Sequence, residues 1–222
     1  MPIGKFSFQR EIFRGSFWKF SGLILAFVGS IAFARLLGPT NFGLYHLLIT
    51  MTALLNNVVT GWGSACKKRF SENEFPKEEV LGSALLMVLA SSIFVIPIVI
   101  YLQSNLQVLE GVGEYLLPFG LLFIVSSLFE ILTDVLSAQS EFSLASRAST
   151  YRTILKVLFQ FSLVAIGWST IGMIYGLVAA TVINIILVLK YINLKPYMPS
   201  YSTIHSLCLY AKYSIPNMFL FG

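Results

Sequence analysis

The fold of this chain is decided by the stretch FSGLILAFVGSIAFARLLGPTNFGLYHLLITMTALLNNVVTGWG, which covers Phe20–Gly63. It holds two apolar runs, 20–37 and 42–63, each close to the roughly 20 residues that a helix needs to cross a bilayer core about 30 Å thick. Gly38-Pro39-Thr40 between the runs stops the first helix, and Asn41 can cap the second. The stretch therefore predicts two membrane-spanning helices joined by a tight turn.

The composition of the whole chain agrees with a membrane environment. Of its 222 residues, 56% are apolar and 11% are charged, and the mean hydropathy is +0.79. Soluble domains are about 45–50% apolar and about 25% charged. A soluble chain of this length cannot bury so much apolar side chain, and a disordered one would be far more polar. We therefore expect an all-α integral membrane protein.

Four further apolar runs follow the first two, at 81–101, 115–136, 153–168 and 171–191. The last two share one long apolar stretch, in which Gly167-Trp168-Ser169-Thr170 predicts the turn. The sequence thus predicts a six-helix transmembrane unit over 20–191. A cytoplasmic loop follows at 192–214, and 215–222 begins a seventh helix but is too short to cross.

Residues 1–19 predict an amphipathic lead-in that lies in the cytoplasmic interface, since aromatic and basic residues alternate there near helical spacing. A signal peptide ending at Ala32-Phe33-Ala34 is the alternative. It is disfavoured because the apolar run exceeds the usual 7–15 residues and five more spans follow.

The basic residues predict the orientation, because Lys and Arg in short loops stay on the cytoplasmic side. With a cytoplasmic amino terminus, that side receives 14 of the 15 basic residues, and only Arg35 lies outside. The net charge of +5 is then a topology signal and a contact with anionic headgroups. No nucleic-acid partner is indicated, and the chain is expected in the cell membrane as a multi-pass protein.

The clearest candidate site residues are Glu130 and Asp134 in the fourth predicted span. Their i, i+4 spacing places both carboxylates on one helix face, and an ionisable group in the bilayer usually faces a bundle interior or a cavity. The pair could bind a coupling cation, take up a proton, or ion-pair with a base on another helix. The alternative is that the span ends early and both groups are hydrated.

Three other polar residues are candidates for a cavity lining. Asn56 and Asn57 cannot both face lipid, so at least one is expected to hydrogen-bond a neighbouring helix or to line a polar path. Lys19, at the mouth of the first span, either extends to the headgroups or points into the bundle towards an anionic substrate.

No enzyme motif is present in the sequence. His46 and His205 lie far apart without the carboxylate or cysteine partners of a metal or nucleophilic site. Cys66 and Cys208 have neither disulfide-framework nor zinc spacing. We therefore expect no enzyme activity, no metal and no cofactor.

A possible internal repeat relates Trp18–Gly29, WKFSGLILAFVG, to Ala211–Gly222, AKYSIPNMFLFG. The two segments match at four positions without a gap, and six spans separate them. Both would start on the cytoplasmic side, as a parallel repeat of two six-helix lobes requires.

The segment 34–45, ARLLGPTNFGLY, resembles the "ARxLGPxxFGxY" hairpin of Wzx-like polysaccharide and O-antigen flippases, which belong to the multidrug/oligosaccharidyl-lipid/polysaccharide (MOP) exporter superfamily. Further similarities are Gly61–Ala65, the stretch 138–147, and Tyr213–Pro216 at the start of the seventh helix. The resemblance implies the N-terminal lobe of a MOP/MATE-like transporter, with six helices plus the start of a seventh.

The resemblance also implies a function. Such proteins move lipid-linked oligosaccharide across the cytoplasmic membrane by alternating access, with the sugar-diphosphate headgroup in a polar or cationic cavity. The expected partners are that glycan, membrane lipid, and a second transporter half or a homodimer. The alternatives are a cation-coupled multidrug exporter of the same superfamily and a non-transporting membrane scaffold.

Overall fold

The computed structural model describes residues 5–72, 75–105, 113–139, 142–192 and 201–208, and every element in these ranges is helical. The helices are α1 (Lys5–Glu72), α2 (Lys77–Asn105), α3 (Leu116–Ala138), α4 (Phe142–Ala165), α5 (Ser169–Tyr191) and α6 (residues 201–208). A short 3-10 turn, Gly113–Tyr115, precedes α3. The described chain is thus an all-helical bundle.

Helix α1 is bent at Gly38, where the sequence predicts a turn. Gly38 has φ 74° and ψ 171°, a backbone conformation that is essentially restricted to glycine. Pro39 follows directly and suits the first position of a helix, because it has no N–H to leave unpaired. The bend divides α1 into a first arm (residues 5–37) and a second arm (residues 39–72).

Helices α4 and α5 are joined by a tight turn centred on Gly167, whose φ is 98°. The Trp168 N–H donates to the Leu163 carbonyl at 3.1 Å, and the Gly167 N–H donates to the Val164 carbonyl at 2.9 Å. These two bonds form a Schellman motif, which satisfies carbonyls at the end of a helix. The turn leaves α4 and α5 as antiparallel neighbours.

The two largest apolar clusters of the described residues lie towards the two ends of the bundle. One contains Phe70, Leu81, Leu136 and Val188, and therefore lies where α3 and α5 end and α2 and α4 begin. We call this the basic end, since Lys67, Arg147 and Lys190 lie there. The other cluster contains Phe33, Tyr45, Phe119 and Met173 and lies near the bend of α1.

Glycines allow the helices to approach closely. Gly15, Gly22 and Gly29, spaced seven residues apart on the first arm, are all buried. A Cβ added at Gly22 would lie 3.3 Å from the Thr150 hydroxyl oxygen on α4. Small residues serve this purpose in membrane bundles because they let backbones pack closely.

Three helical segments of the described chain are long and apolar enough to cross a membrane: Phe13–Asn57, Leu117–Ala138 and Ser169–Tyr191. Helix α3, with 23 residues, is about 34 Å long at 1.5 Å per residue, which matches a bilayer core. Helix α4 has 24 residues, but Arg147, Arg152 and Lys156 lower its hydropathy.

Several helix bounds differ from the spans expected from hydropathy. Helix α4 begins at Phe142, well before 153, and the second arm of α1 continues past 63 to Glu72. Residues 201–208 are helical within the expected loop 192–214. The described part of the expected lead-in, from residue 5, is continuous with the first arm of α1, and Gly15 within it is buried. The expected seventh helix at 215–222 lies outside the described residues.

Candidate functional site

A cavity of about 390 Å³ lies at the basic end between the first arm of α1, α3 and α4. Its described charged lining residues are Lys19, Glu130 and Arg152, one from each helix. Hydroxyl groups form much of the remaining lining; they belong to Ser16, Thr133, Ser137, Ser146 and Ser149. The cavity is therefore a polar space inside an otherwise apolar bundle.

Arg152 is the centre of the polar contacts in this cavity. Its Nε donates to Thr181 Oγ1 of α5 at 3.0 Å, and its Nη2 donates to Ser126 Oγ of α3 at 3.1 Å. The guanidinium carbon also lies 4.7 Å from the centroid of the Phe129 ring. A planar guanidinium with five donors suits this role, since it can bond several helices at once.

Glu130 forms an ion pair with Arg152, with 3.4 Å between Oε1 and Nη1. The Arg152 side chain is 19% exposed and that of Glu130 is 46% exposed, so the carboxylate faces the open part of the cavity. Glu130 therefore has a basic partner on another helix, the third arrangement that the i, i+4 spacing allowed.

The cavity carries more positive than negative charge. Lys19 is exposed at its edge, and the described residues include no carboxylate ion-paired with it. Lys156 lies one helical turn beyond Arg152 on the same face of α4, half-buried and likewise without an ion pair in the described ranges. One carboxylate, Glu130, thus opposes two cations that line the cavity.

Asp134 lies one turn from Glu130 but has a different partner. Its Oδ1 lies 3.5 Å from Nζ of Lys67, at the end of the second arm of α1. It is not among the described residues that line the cavity. The two carboxylates share a helix face without sharing a site.

The two adjacent asparagines also lie outside the cavity lining. Asn56 Oδ1 accepts a hydrogen bond of 2.7 Å from the Ser127 hydroxyl of α3, which ties two helices together. Asn57 is exposed on the second arm of α1. The structure therefore brings Lys19 and Glu130 together and keeps Asn56, Asn57 and Asp134 apart from them.

Arg152 is the cavity residue that sequence reasoning missed. It directly precedes the apolar run expected as the fifth span, so the sequence predicts a position among the cytoplasmic loop charges. The polar segment Ser146–Arg152 carries the missed signal, because its serines and arginine recur on one face when the helix is started at Phe142. No group of His, Cys, Asp and Glu able to hold a metal occurs among the described residues.

Solved structures show which class of protein has this bundle. An outward-facing multidrug resistance MATE family transporter of the MOP superfamily superimposes with a TM-score of 0.73 at 15% identity, covering 96% of this chain and 53% of that one. A MOP superfamily transporter from Pyrococcus furiosus gives 0.72 at 14% identity, with 96% and 53% covered. The fold is that of MOP superfamily transporters, and the chain is a multi-pass membrane protein.

Sequence comparison then gives the family. Residues 32–220 match the family described as "Polysaccharide biosynthesis protein", and the chain belongs to this family. It is also 28% identical, over 198 residues, to the probable low-salt glycan biosynthesis flippase Agl15 of Haloferax volcanii, covering 87% of this chain and 41% of that protein. The resemblance to Wzx-like flippases of the MOP superfamily is confirmed, and the chain spans about half the length of these relatives.

Proposed function

We propose that this chain supplies one six-helix half of a flippase that moves lipid-linked oligosaccharide across the cytoplasmic membrane by alternating access. The amino terminus is cytoplasmic in this proposal, as the basic residues predict. The complementary half completes the cavity. The protein performs no covalent chemistry, so its work is binding and conformational change.

The observation that carries the proposal is the cavity, in which Lys19 and Arg152 face one carboxylate among the described lining residues, that of Glu130. A diphosphate joined to a sugar is a strong anion with many acceptor oxygens. Lysine contributes a mobile point charge and arginine a fixed fork of donors, which are the two usual ways of binding phosphate. The cavity hydroxyls supply further hydrogen bonds for sugar or phosphate oxygens.

The geometry also supports a role for the Glu130–Arg152 pair in the transport cycle. Arg152 is already held by Ser126 and Thr181, so a bound phosphate could replace Glu130 without moving the guanidinium. The exposed carboxylate would turn towards water. Substrate binding is then an exchange of one anion for another at a fixed cation.

A cation-coupled multidrug exporter is the second candidate, favoured by the fold shared with a MATE family transporter. In that reading Glu130 is the cation ligand and Lys19 is incidental. The ion pair with Arg152 argues against it, since a carboxylate neutralised by arginine attracts a second cation poorly. A non-transporting scaffold would need neither the Glu130 carboxylate nor the Lys19 ammonium group in the cavity.

The experiment that separates these functions compares three variants of the complete protein in cells that depend on it for surface glycan. Lys19→Ala removes the cavity cation that has no ion pair with a described carboxylate, and Glu130→Gln removes the carboxylate. Lys190→Ala is the matched control, because it removes the same charge from an exposed position in the last turn of α5. Surface glycan, cell-associated lipid-linked glycan and drug resistance are measured for each variant.

The flippase proposal expects Lys19→Ala to lower surface glycan and to accumulate the lipid-linked precursor, while Lys190→Ala behaves as the unaltered protein. Loss of drug resistance on Glu130→Gln with normal glycan export would support the exporter instead. Normal export in both cavity variants would refute the assigned role of the cavity.

A further inference from the structure

A second cavity, of about 250 Å³, lies on the other side of α4 from the Lys19 cavity. It is enclosed by α3, α4 and α5 at the basic end, and most of its wall is aliphatic. Its polar lining groups are Arg147, Tyr151, Asn184 and Tyr191. The Asn184 amide is already used, since it donates to the Ala148 carbonyl.

Arg147 brings a charge to this cavity that no described carboxylate neutralises. Its guanidinium carbon lies 5.8 Å from the centroid of the Trp18 ring, a cation–π contact that fixes its position. Its Nε is buried and has no hydrogen-bond acceptor among the described residues. A buried donor on a cation is costly to leave unpaired, so the site suits an anionic acceptor.

The cavity opens towards the outer surface of the bundle. Tyr151, Leu187 and Tyr191 on its rim are 47%, 39% and 62% exposed. Tyr191 is the last residue of α5, and Leu144 lies in the first turn of α4, so the opening is level with the helix ends. In a bilayer this level is the headgroup region, and the exposed apolar side chains of α5 next to it meet acyl chains.

We propose that this cavity binds an anionic phospholipid, with the lipid phosphate on Arg147 and the acyl chains along the outer surface of α4 and α5. The aliphatic wall and the rim tyrosines fit a lipid, whereas a free phosphate ion would leave both unused. Basic pockets between membrane helices are suited to anionic headgroups, because they combine charge with a partly desolvated setting. The inference rests on the membrane setting and is independent of the transport function.

Native mass spectrometry of the purified full chain tests the site. Dioleoylphosphatidylglycerol is the anionic probe, and dioleoylphosphatidylcholine, with matched acyl chains, is the zwitterionic control. Arg147→Gln removes the charge of the cavity. Lys190→Gln removes an equal charge from an exposed position at the same end that does not line the cavity.

We expect Arg147→Gln to weaken phosphatidylglycerol binding about fivefold, the change in affinity that one basic residue near an anionic lipid typically contributes. Lys190→Gln should change it less than about twofold, and phosphatidylcholine should bind all proteins equally weakly. Unchanged binding in Arg147→Gln, or equal losses in both variants, would overturn the proposal.

Two further measurements test the site if Arg147→Gln folds poorly and if the ligand is a free anion. Leu187→Trp fills the cavity from its exposed rim and leaves the Arg147 and Trp18 contact in place, so it should lose the preference for phosphatidylglycerol. Retained preference would contradict the assignment. Competition by millimolar inorganic phosphate would show a free-anion site in place of a lipid site.

Discussion

The ion pairs of Glu130 and Asp134 provide the sharpest quantitative test of the structure. The two carboxylates lie one turn apart on α3 and have similar distances to their partners, 3.4 Å to Arg152 and 3.5 Å to Lys67. Their surroundings differ, because the Arg152 side chain is 19% exposed and the Lys67 side chain is 47% exposed. We predict that the Arg152 pair stabilises the fold more.

The expected magnitudes follow from burial and geometry. A hydrogen bond to a charged group contributes about 1.5–3 kcal/mol, and the long distance and half-exposed Glu130 reduce this to about 1–1.5 kcal/mol. The Lys67 and Asp134 side chains are 47% and 31% exposed, and an ion pair whose cation is this well hydrated contributes about 0.2–1 kcal/mol. Arg152→Met alone should cost about 2–3 kcal/mol, because it also removes the bonds to Ser126 and Thr181.

The assay is a pair of double-mutant cycles on the free energy of unfolding in detergent micelles, followed by tryptophan fluorescence. One cycle combines Arg152→Met with Glu130→Gln, and the matched cycle combines Lys67→Met with Asp134→Asn. We expect a coupling energy larger by about 0.6 kcal/mol in the first cycle, the difference between the midpoints of the two ranges and above the usual error of about 0.3–0.5 kcal/mol. Equal coupling energies, or a larger one for Lys67, would refute the reasoning.

Two further predictions concern helix packing and cysteine exposure. Gly176→Ala should destabilise the protein by about 1–3 kcal/mol, because the new Cβ would lie 2.8 Å from the Gln160 backbone nitrogen. Gly120 has open space around it, so Gly120→Ala should be neutral or stabilising in the same unfolding measurement. Burial raises the pKa of the Cys66 thiol to about 12, whereas Cys208 is half-buried. Maleimide at pH 8 should therefore label Cys208 and leave Cys66 unmodified until the protein is unfolded. Equal labelling rates of the two cysteines in the folded protein would contradict the burial of Cys66.

Much of the fold follows from local sequence signals. The sequence predicts turns at Gly38 and Gly167, and both residues have positive φ in the structure. Glycine adopts positive φ readily because it has no Cβ. The apolar runs locate α3 and α5 closely. These features are predictable because each depends on a few neighbouring residues and on the length of a span.

The cavity could be predicted only in part. Glu130 and Lys19 stand out because charge inside or beside an apolar run is unusual. Arg152 does not, since it lies at the polar edge of its run, and only the packing of α4 between α3 and α5 brings it to Ser126 and Thr181. The separation of Asp134 from the cavity likewise depends on tertiary packing, because its ion-pair partner, Lys67, lies on the second arm of α1.

The most direct test of the central claim is site-specific photocrosslinking in the complete protein, from two positions on α4. A photoreactive residue at Ser149 lies in the cavity, and one at Leu158, 59% exposed, lies outside its described lining. If the cavity holds the substrate, a glycan-bearing adduct should form from Ser149 and not from Leu158. Equal adducts from both positions, or an adduct from Leu158 alone, would contradict the account.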